Sequence, residues 1–311
     1  MLFRIFIEVC LPILVLAGFG WVIDRIFRID LKSLVKLNIY LFVPAFILVK
    51  LSSSDLEGET GLAVVGFTAA VILAMGAITW LVGGLCRFPR SERYSMKLST
   101  MIYNSGNWGI PLMTLAFTEL GGVVQVFVLA TMNLTSFTVG IFLANAGRQD
   151  KRGWLIPFLR QPSPWAIVIA LTLRHFDNPI ADVGFLWVPL SYLADALIAF
   201  ALITLGVQLS QTSPPPPKGS LAYTLVIRLF GGPLVAVALT WLFGFRGEMA
   251  AILIVGAASP TAVNTALLAH EFKADSRFAA AAVFYSTLAA SLVVTALLAV
   301  LQAGWIPWAT F

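Results

Sequence analysis

Polar and apolar residues are sorted into blocks along this chain. Long runs free of Lys, Arg, Asp and Glu alternate with short stretches in which the charges collect. An ionised side chain at bilayer depth is costly, so charge-poor runs of this length predict membrane-spanning helices. They fall near residues 6–26, 34–51, 62–85, 96–118, 122–146, 163–176, 186–209, 220–243, 248–270 and 278–302. The sixth is short and flanked by Pro162, Pro164 and Pro179. Strands of a membrane barrel would alternate in polarity over about ten residues, whereas Val123 to Ala144 is apolar all round. The pattern therefore predicts an all-α membrane protein with ten transmembrane helices.

The basic residues orient these helices. Fifteen Lys and Arg fall in the odd-numbered connections, from Arg25, Arg28, Lys32 and Lys36 in the first to Lys273 and Arg277 in the ninth. Only Arg4, Lys50, Arg174 and Arg246 lie on the other side. Lys and Arg favour cytoplasmic loops, so both termini are expected outside, in the periplasm of a bacterial inner membrane. The acidic second connection, with Asp55, Glu57 and Glu59, suits the outer face, and Trp305 and Trp308 read as interface anchors. The fifth connection divides the chain into 1–146, a cytoplasmic linker 147–162, and 163–311. Five spans per half make the second half enter the membrane from the opposite side, the condition for an inverted repeat.

Composition narrows the function classes. With 59% hydrophobic and 11% charged residues, against about 25% charged in soluble domains, ten spans of about 20 residues leave no room for a soluble domain. The net charge of +5 sits in short loops, so it speaks for topology and against a nucleic-acid partner. Cys10, Cys86, His175 and His270 form no metal signature, and no metal or other cofactor is expected. No Ser/His pair, HExxH helix or paired aspartates suggest an enzyme. The N-terminal apolar run reaches Phe27 without a small-residue cleavage site, as a first span and not a signal peptide does.

Two spans are interrupted. The fourth reads Asn104-Ser105-Gly106-Asn107-Trp108-Gly109-Ile110-Pro111. Gly106 and Gly109 weaken the helix, while Pro111 removes a donor and crowds the carbonyl of Asn107. The ninth, fourth of the second half, carries Ser259-Pro260-Thr261-Ala262-Val263-Asn264. Open backbone in a membrane is tolerated only against protein or a water-filled cavity, and paired breaks at matching places point to a transporter site near the midplane. The N-terminal ends of the half-helices suit an anion, and Asn amides complete its shell. Asn104, Gly106, Asn107, Thr261 and Asn264 are the expected substrate contacts, with Gly109, Pro111 and Pro260 forming the crossover.

Two ionisable residues lie inside spans. Asp195, about 13 Å beyond Leu186 along its helix, reads either as a proton, cation or gating site or as a neutral interhelix hydrogen-bond partner. Arg228 reads as snorkelling to the cytoplasm or as attracting or holding an anion in an inward-open cavity. Acids elsewhere in spans three to five and eight to ten lie only at helix ends or in loops, such as Glu119, Glu248 and Glu271, which disfavours a buried Asp pair. Uniport remains, because one anion moving outward gains about 2.3 kcal/mol per 100 mV. Sodium held near Ser259 and Thr261 stays open.

The strings at 104–111 and 260–264, with Asn38-Ile-Tyr-Leu-Phe-Val-Pro44-Ala and Ala201-Leu-Ile-Thr-Leu-Gly206-Val-Gln-Leu209, resemble the auxin efflux carrier family, which includes plant auxin carriers and bacterial malonate and malate transporters. The resemblance covers the whole chain in order. It implies a five-plus-five inverted repeat of the sodium/proton antiporter kind, with helices four and nine crossing at Pro111 and Pro260. It also implies a scaffold of helices one, two, six and seven carrying a homodimer contact, and a transport domain of the rest moving like an elevator. Asn104 and Asn264 would contact a substrate carboxylate, while Asn107 falls in a variable part of the motif. The long central loop of plant members, with its phosphorylation control, is missing. The expected function is a secondary carrier of small organic anions. Its rivals are a sodium-coupled symporter of the bile-acid type and a membrane sensor that binds ligand without moving it.

Overall fold

The computed structural model describes residues 1–144, 160–271 and 275–311; most of the expected linker 147–162 lies outside the described residues. Among the described residues the architecture is all-helical, and an isolated antiparallel bridge between Tyr103 and Thr261 is the one strand-like feature. Among the described residues six helices are long and apolar enough to cross a membrane: Leu2–Phe27, Leu31–Ser52, Gly58–Leu85, Gly184–Ser210, Ser220–Leu242 and Ser276–Gln302. The other predicted stretches hold Glu119–Ala144, Pro162–His175 and two interrupted helices. The first of these runs Arg90–Met101 and resumes through Ser105–Gly109 into Ile110–Ala116. The second runs Gly247–Ala257 and resumes at Asn264–Glu271.

Local chemistry sets several of the ends. Asp30 caps the helix starting at Leu31 by accepting from the amides of Lys32 and Ser33, and Asp275 does the same for Arg277 and Phe278. Leu11–Phe27 stops where Arg28 turns left-handed, with φ 52°. There the Asp24 carboxylate accepts from the Ile29 amide at 3.1 Å and from Gln211 Nε2 at 2.8 Å, tying this end to that of Gly184–Ser210.

Four wide turns share one cause. The segments Phe6–Cys10, Asn38–Phe42, Ser105–Gly109 and Ile227–Gly231 form π-helical turns. Each stands two residues before a proline, at Pro12, Pro44, Pro111 and Pro233. A proline ring crowds the carbonyl four residues back and cannot donate to it. In every case that carbonyl, of Glu8, Tyr40, Asn107 or Leu229, is the middle residue of the turn, and widening the turn relieves the crowding.

The helices Leu11–Phe27 and Gly184–Ser210 touch through backbone. A Cβ at Gly206 would lie 1.8 Å from the Ala17 carbonyl oxygen, and one at Gly20 would lie 2.1 Å from that of Ile203. Only glycine permits such an approach, the small-residue contact by which membrane helices pack. A large apolar core runs through Ile13, Phe67, Met75, Trp108, Leu205 and Val255. A second gathers Phe46, Ile47, Leu51, Ala170 and Leu197. Large apolar side chains such as Phe19, Leu73, Leu234 and Leu292 cover the outside, as suits a multi-pass protein facing lipid.

Candidate functional site: a neutral cavity between two interrupted helices

The helical ladder stops after Met101, where Ile102 is extended, and again after Ala257. The two opened segments run antiparallel to each other. The Asn104 amide donates to the Pro260 carbonyl at 2.8 Å, and the Ala262 amide donates to the Ile102 carbonyl at 3.0 Å. Backbone groups released by one break are thus satisfied by the other, which removes the cost of leaving them bare in an apolar medium. Side chains close the rest. The Ser105 carbonyl accepts from Gln125 Nε2 at 2.6 Å, and the Thr261 amide donates to Ser286 Oγ at 3.0 Å. Gly109 belongs to this arrangement, since a Cβ there would lie 2.2 Å from Gln125 Nε2.

Beside this junction lies a cavity of about 290 Å³. Asn38, Asn104, Asn107, Asn133 and Asn264 line it together with Ser105, Ser136, Gln161 and Ser163. Val35, Ile39, Val43, Leu129, Met132 and Leu268 supply its apolar wall, and among the described residues no Lys, Arg, His, Asp or Glu takes part. Asn104 is 5% exposed and its Nδ2 has no partner. Asn38 Nδ2 donates to Asn107 Oδ1 at 2.6 Å, and Asn38 Oδ1 has no partner. Buried amide atoms without partners are costly, so these point to a polar guest. The resuming helices begin at this wall, with Ser105, Gly106, Asn107 and Asn264 all lining it, and the first amides of a helix have no acceptor within it. Neutral amides and half-helix N-termini can hold an anion without a charged ligand. No cluster among the described residues could hold a metal ion.

Asn104, Gly106, Asn107 and Asn264 therefore meet at one wall. Thr261 does not join them: it is fully buried, and its hydroxyl donates to the Ser99 carbonyl at 2.8 Å, on the junction and not in the cavity. Gly109, Pro111 and Pro260 shape the two breaks without lining the cavity. Asp195 lies elsewhere, exposed on the face of Gly184–Ser210 that carries Tyr192 and Ala196, with no hydrogen-bond partner among the described residues.

Arg228 is placed where it can neither snorkel nor hold an anion directly. It neither snorkels nor enters the cavity, being 0% exposed and absent from the lining. Its Nη1 donates to the Thr100 carbonyl at 2.6 Å and its Nη2 to the Ala257 carbonyl, so the guanidinium joins the last turns before both breaks. It also lies over the Tyr103 ring, 5.1 Å from the centroid. The sequence reading missed Asn38, Asn133, Ser136, Gln161 and Ser163 as lining residues and Gln125 as a support. A signal existed: Gln125, Leu129, Met132, Asn133 and Ser136 share one face of an otherwise apolar helix by their spacing of three and four.

Comparison with known proteins agrees with this architecture. Residues 5–298 match a family described as membrane transport protein. An uncharacterised transporter of Methanothermobacter thermautotrophicus is 23% identical over 285 residues, covering 90% of this chain and 93% of its own. Another, of Methanocaldococcus jannaschii, is 26% identical over 305 residues, covering 92% and 96%. With two interrupted helices, a neutral cavity between them and a match over nearly its whole length, the chain belongs to the membrane transport protein family, that of the auxin efflux carriers.

Proposed function

We propose that this protein is a secondary carrier for a small organic anion, working as a uniporter or efflux carrier driven by the membrane potential. The observation that carries the proposal is the cavity at the two breaks, lined by five asparagines and, among the described residues, by no Lys, Arg, His, Asp or Glu. Its volume of about 290 Å³ lies at the small end of ligand pockets, roughly 300–1,000 Å³. A carboxylate would sit against Asn104, Asn107 and the amides at the start of the resumed helices, with Asn264 at the exposed side. The apolar wall would hold the body of the acid. Ten spans in two inverted halves, crossing at Pro111 and Pro260, would let the cavity face either side in turn, the transport helices moving past a dimeric scaffold. Lining by Val35 and Gln161, beside the basic Lys36 and Arg160, supports an inward-facing state of a bacterial inner-membrane protein with periplasmic termini.

The sodium-coupled alternative gains little from the site. Sodium would need carbonyl oxygens near the breaks, and those of Thr100 and Ala257 already accept from Arg228. Binding of labelled carboxylates to the purified protein, compared with Asn104→Ala and Asn264→Ala, tests the site. Both variants should bind more weakly, and unchanged binding in both sinks the assignment. Flux in proteoliposomes under an imposed potential, with and without sodium, tests the carrier and separates it from a sensor.

A further inference from the structure

Arg228 is the one Lys or Arg that the loops and helix ends do not account for, and among the described residues it alone of its kind is buried. A guanidinium stays protonated in proteins, so this is a permanent cation inside the membrane. Among the described residues no carboxylate balances it: its two hydrogen bonds go to main-chain carbonyls, and its Nε has no partner. The groups it does meet are themselves partly negative. Thr100 and Ala257 end the helical segments before the two breaks, and each helix C-terminus carries the equivalent of about half a negative charge. Left alone, those two ends would face the back of the junction and oppose an anion on its other side.

The chain is built to bring Arg228 there. The residue sits in the π turn Ile227–Gly231 ahead of Pro233. Next to it, Gly232 leaves room, since a Cβ at that position would lie 2.3 Å from both the Ala257 carbonyl oxygen and Arg228 Nη2. Between the guanidinium and the cavity stands Tyr103, whose ring lies beneath Arg228 and which also lines the cavity.

We propose that Arg228 is the charge selector of the cavity: a fixed cation behind a neutral wall, which cancels the two helix C-termini and makes the cavity potential positive without touching the ligand. It is a positioning residue. Size and shape are read by the asparagines, and charge is read through the Tyr103 ring. This arrangement also supplies internally the positive charge that a coupling ion would otherwise bring. The inference rests on the cavity being the anion site, but its test needs neither a known substrate nor flux.

A thiol placed in the cavity reports the potential. In a Cys86→Ser background, which leaves Cys10 buried, Asn264→Cys is reacted with methanethiosulfonate reagents, one an anionic sulfonate and one a cationic trimethylammonium. The ratio of the two rates cancels changes in thiol reactivity and access common to both. Arg228→Met should lower the anion-to-cation ratio by roughly 200- to 300-fold, as expected when a unit charge about 10 Å away at an effective dielectric of about 20 shifts the two reagents about 16-fold each in opposite directions. Arg228→Lys should keep most of it. A role confined to holding the helices together would slow or speed both reagents alike. With Arg228 in place, the ratio should also persist from 0.05 to about 1 M NaCl, because a buried charge is screened far less than a loop charge. A ratio that falls in Lys and Met variants equally, stays within twofold in Met, or collapses in high salt in the unsubstituted protein overturns the proposal. Absence of flux with the ratio intact would instead remove the carrier reading and leave the selector.

Discussion

Two seams in this molecule bring helix backbones unusually close, by opposite means. Between Leu11–Phe27 and Gly184–Ser210 the side chains are deleted: Gly20 and Gly206 let two helices touch that are continuous at the contact. Between the two interrupted helices the ladders themselves are opened, and Asn104, Pro260, Ile102 and Ala262 exchange hydrogen bonds across the gap. At the first seam the backbone groups in contact are spent within their own helices. The second is polar, and its unpaired groups, the Asn104 Nδ2 donor and the Asn38 Oδ1 acceptor, belong to residues that line a cavity. Close approach serves rigidity where the backbone is complete and chemistry where it is not.

The sharpest way to break the contrast is at Gly206. Gly206→Leu places atoms where the Ala17 carbonyl already stands, so the two helices must part; folded protein should be lost, seen as the disappearance of a monodisperse peak in fluorescence-detected size-exclusion chromatography. A normal peak would mean that this seam is not a fixed contact. Asn104→Ala should do the reverse, keeping the peak while affinity for a bound carboxylate falls roughly 10- to 100-fold, as loss of a hydrogen bond to a charged group of about 1.5–3 kcal/mol requires. Isothermal titration reads that change. Gln125→Leu sits between the two, since it strands the buried Ser105 carbonyl at a cost of roughly 1–3 kcal/mol. A lowered thermal midpoint with little change in affinity is expected there. Asp195→Asn should have the smallest effect: Asp195 lies outside both seams, so the pH profile of transport should match the parent, and a shifted profile would restore it as a proton site.

Much of this fold was legible because the governing cost is local. A charge in a span is costly wherever it stands, so the charge-free runs mark the helices, and Gly106, Gly109, Pro111 and Pro260 mark the breaks by their own backbone chemistry. What a side chain faces is another matter. Gly184–Ser210 is apolar nearly all round, so nothing in its sequence says that Asp195 points away from the cavity. Thr261 was expected beside a ligand because it adjoins Pro260, yet the carbonyl of Ser99, 162 positions away in sequence, takes its hydroxyl. Arg228 could be recognised as exceptional from its position among apolar neighbours, but its two acceptors come from separate helices that only the folded chain brings together. Asn38 stood in a quoted string without a role, for want of the contact with Asn107.

The four wide turns ahead of Pro12, Pro44, Pro111 and Pro233 also act on phase. A π turn holds about one residue more than an α turn, and one residue corresponds to about 100° around a helix. Where helix continues on both sides, as around Phe6–Cys10, Asn38–Phe42 and Ile227–Gly231, the turn is a rotational splice: the stripe of residues facing inward before it is out of step with the stripe facing inward after it. A strict heptad or 3.6-residue pattern read straight through any of these helices would assign the wrong face to one side of the splice. Removing a residue inside such a turn would rewind the ladder and swing every residue beyond it to a new bearing. Asn38 and Arg228 stand within such splices, where a helix can aim a polar side chain off its regular face while both flanking segments keep their packing.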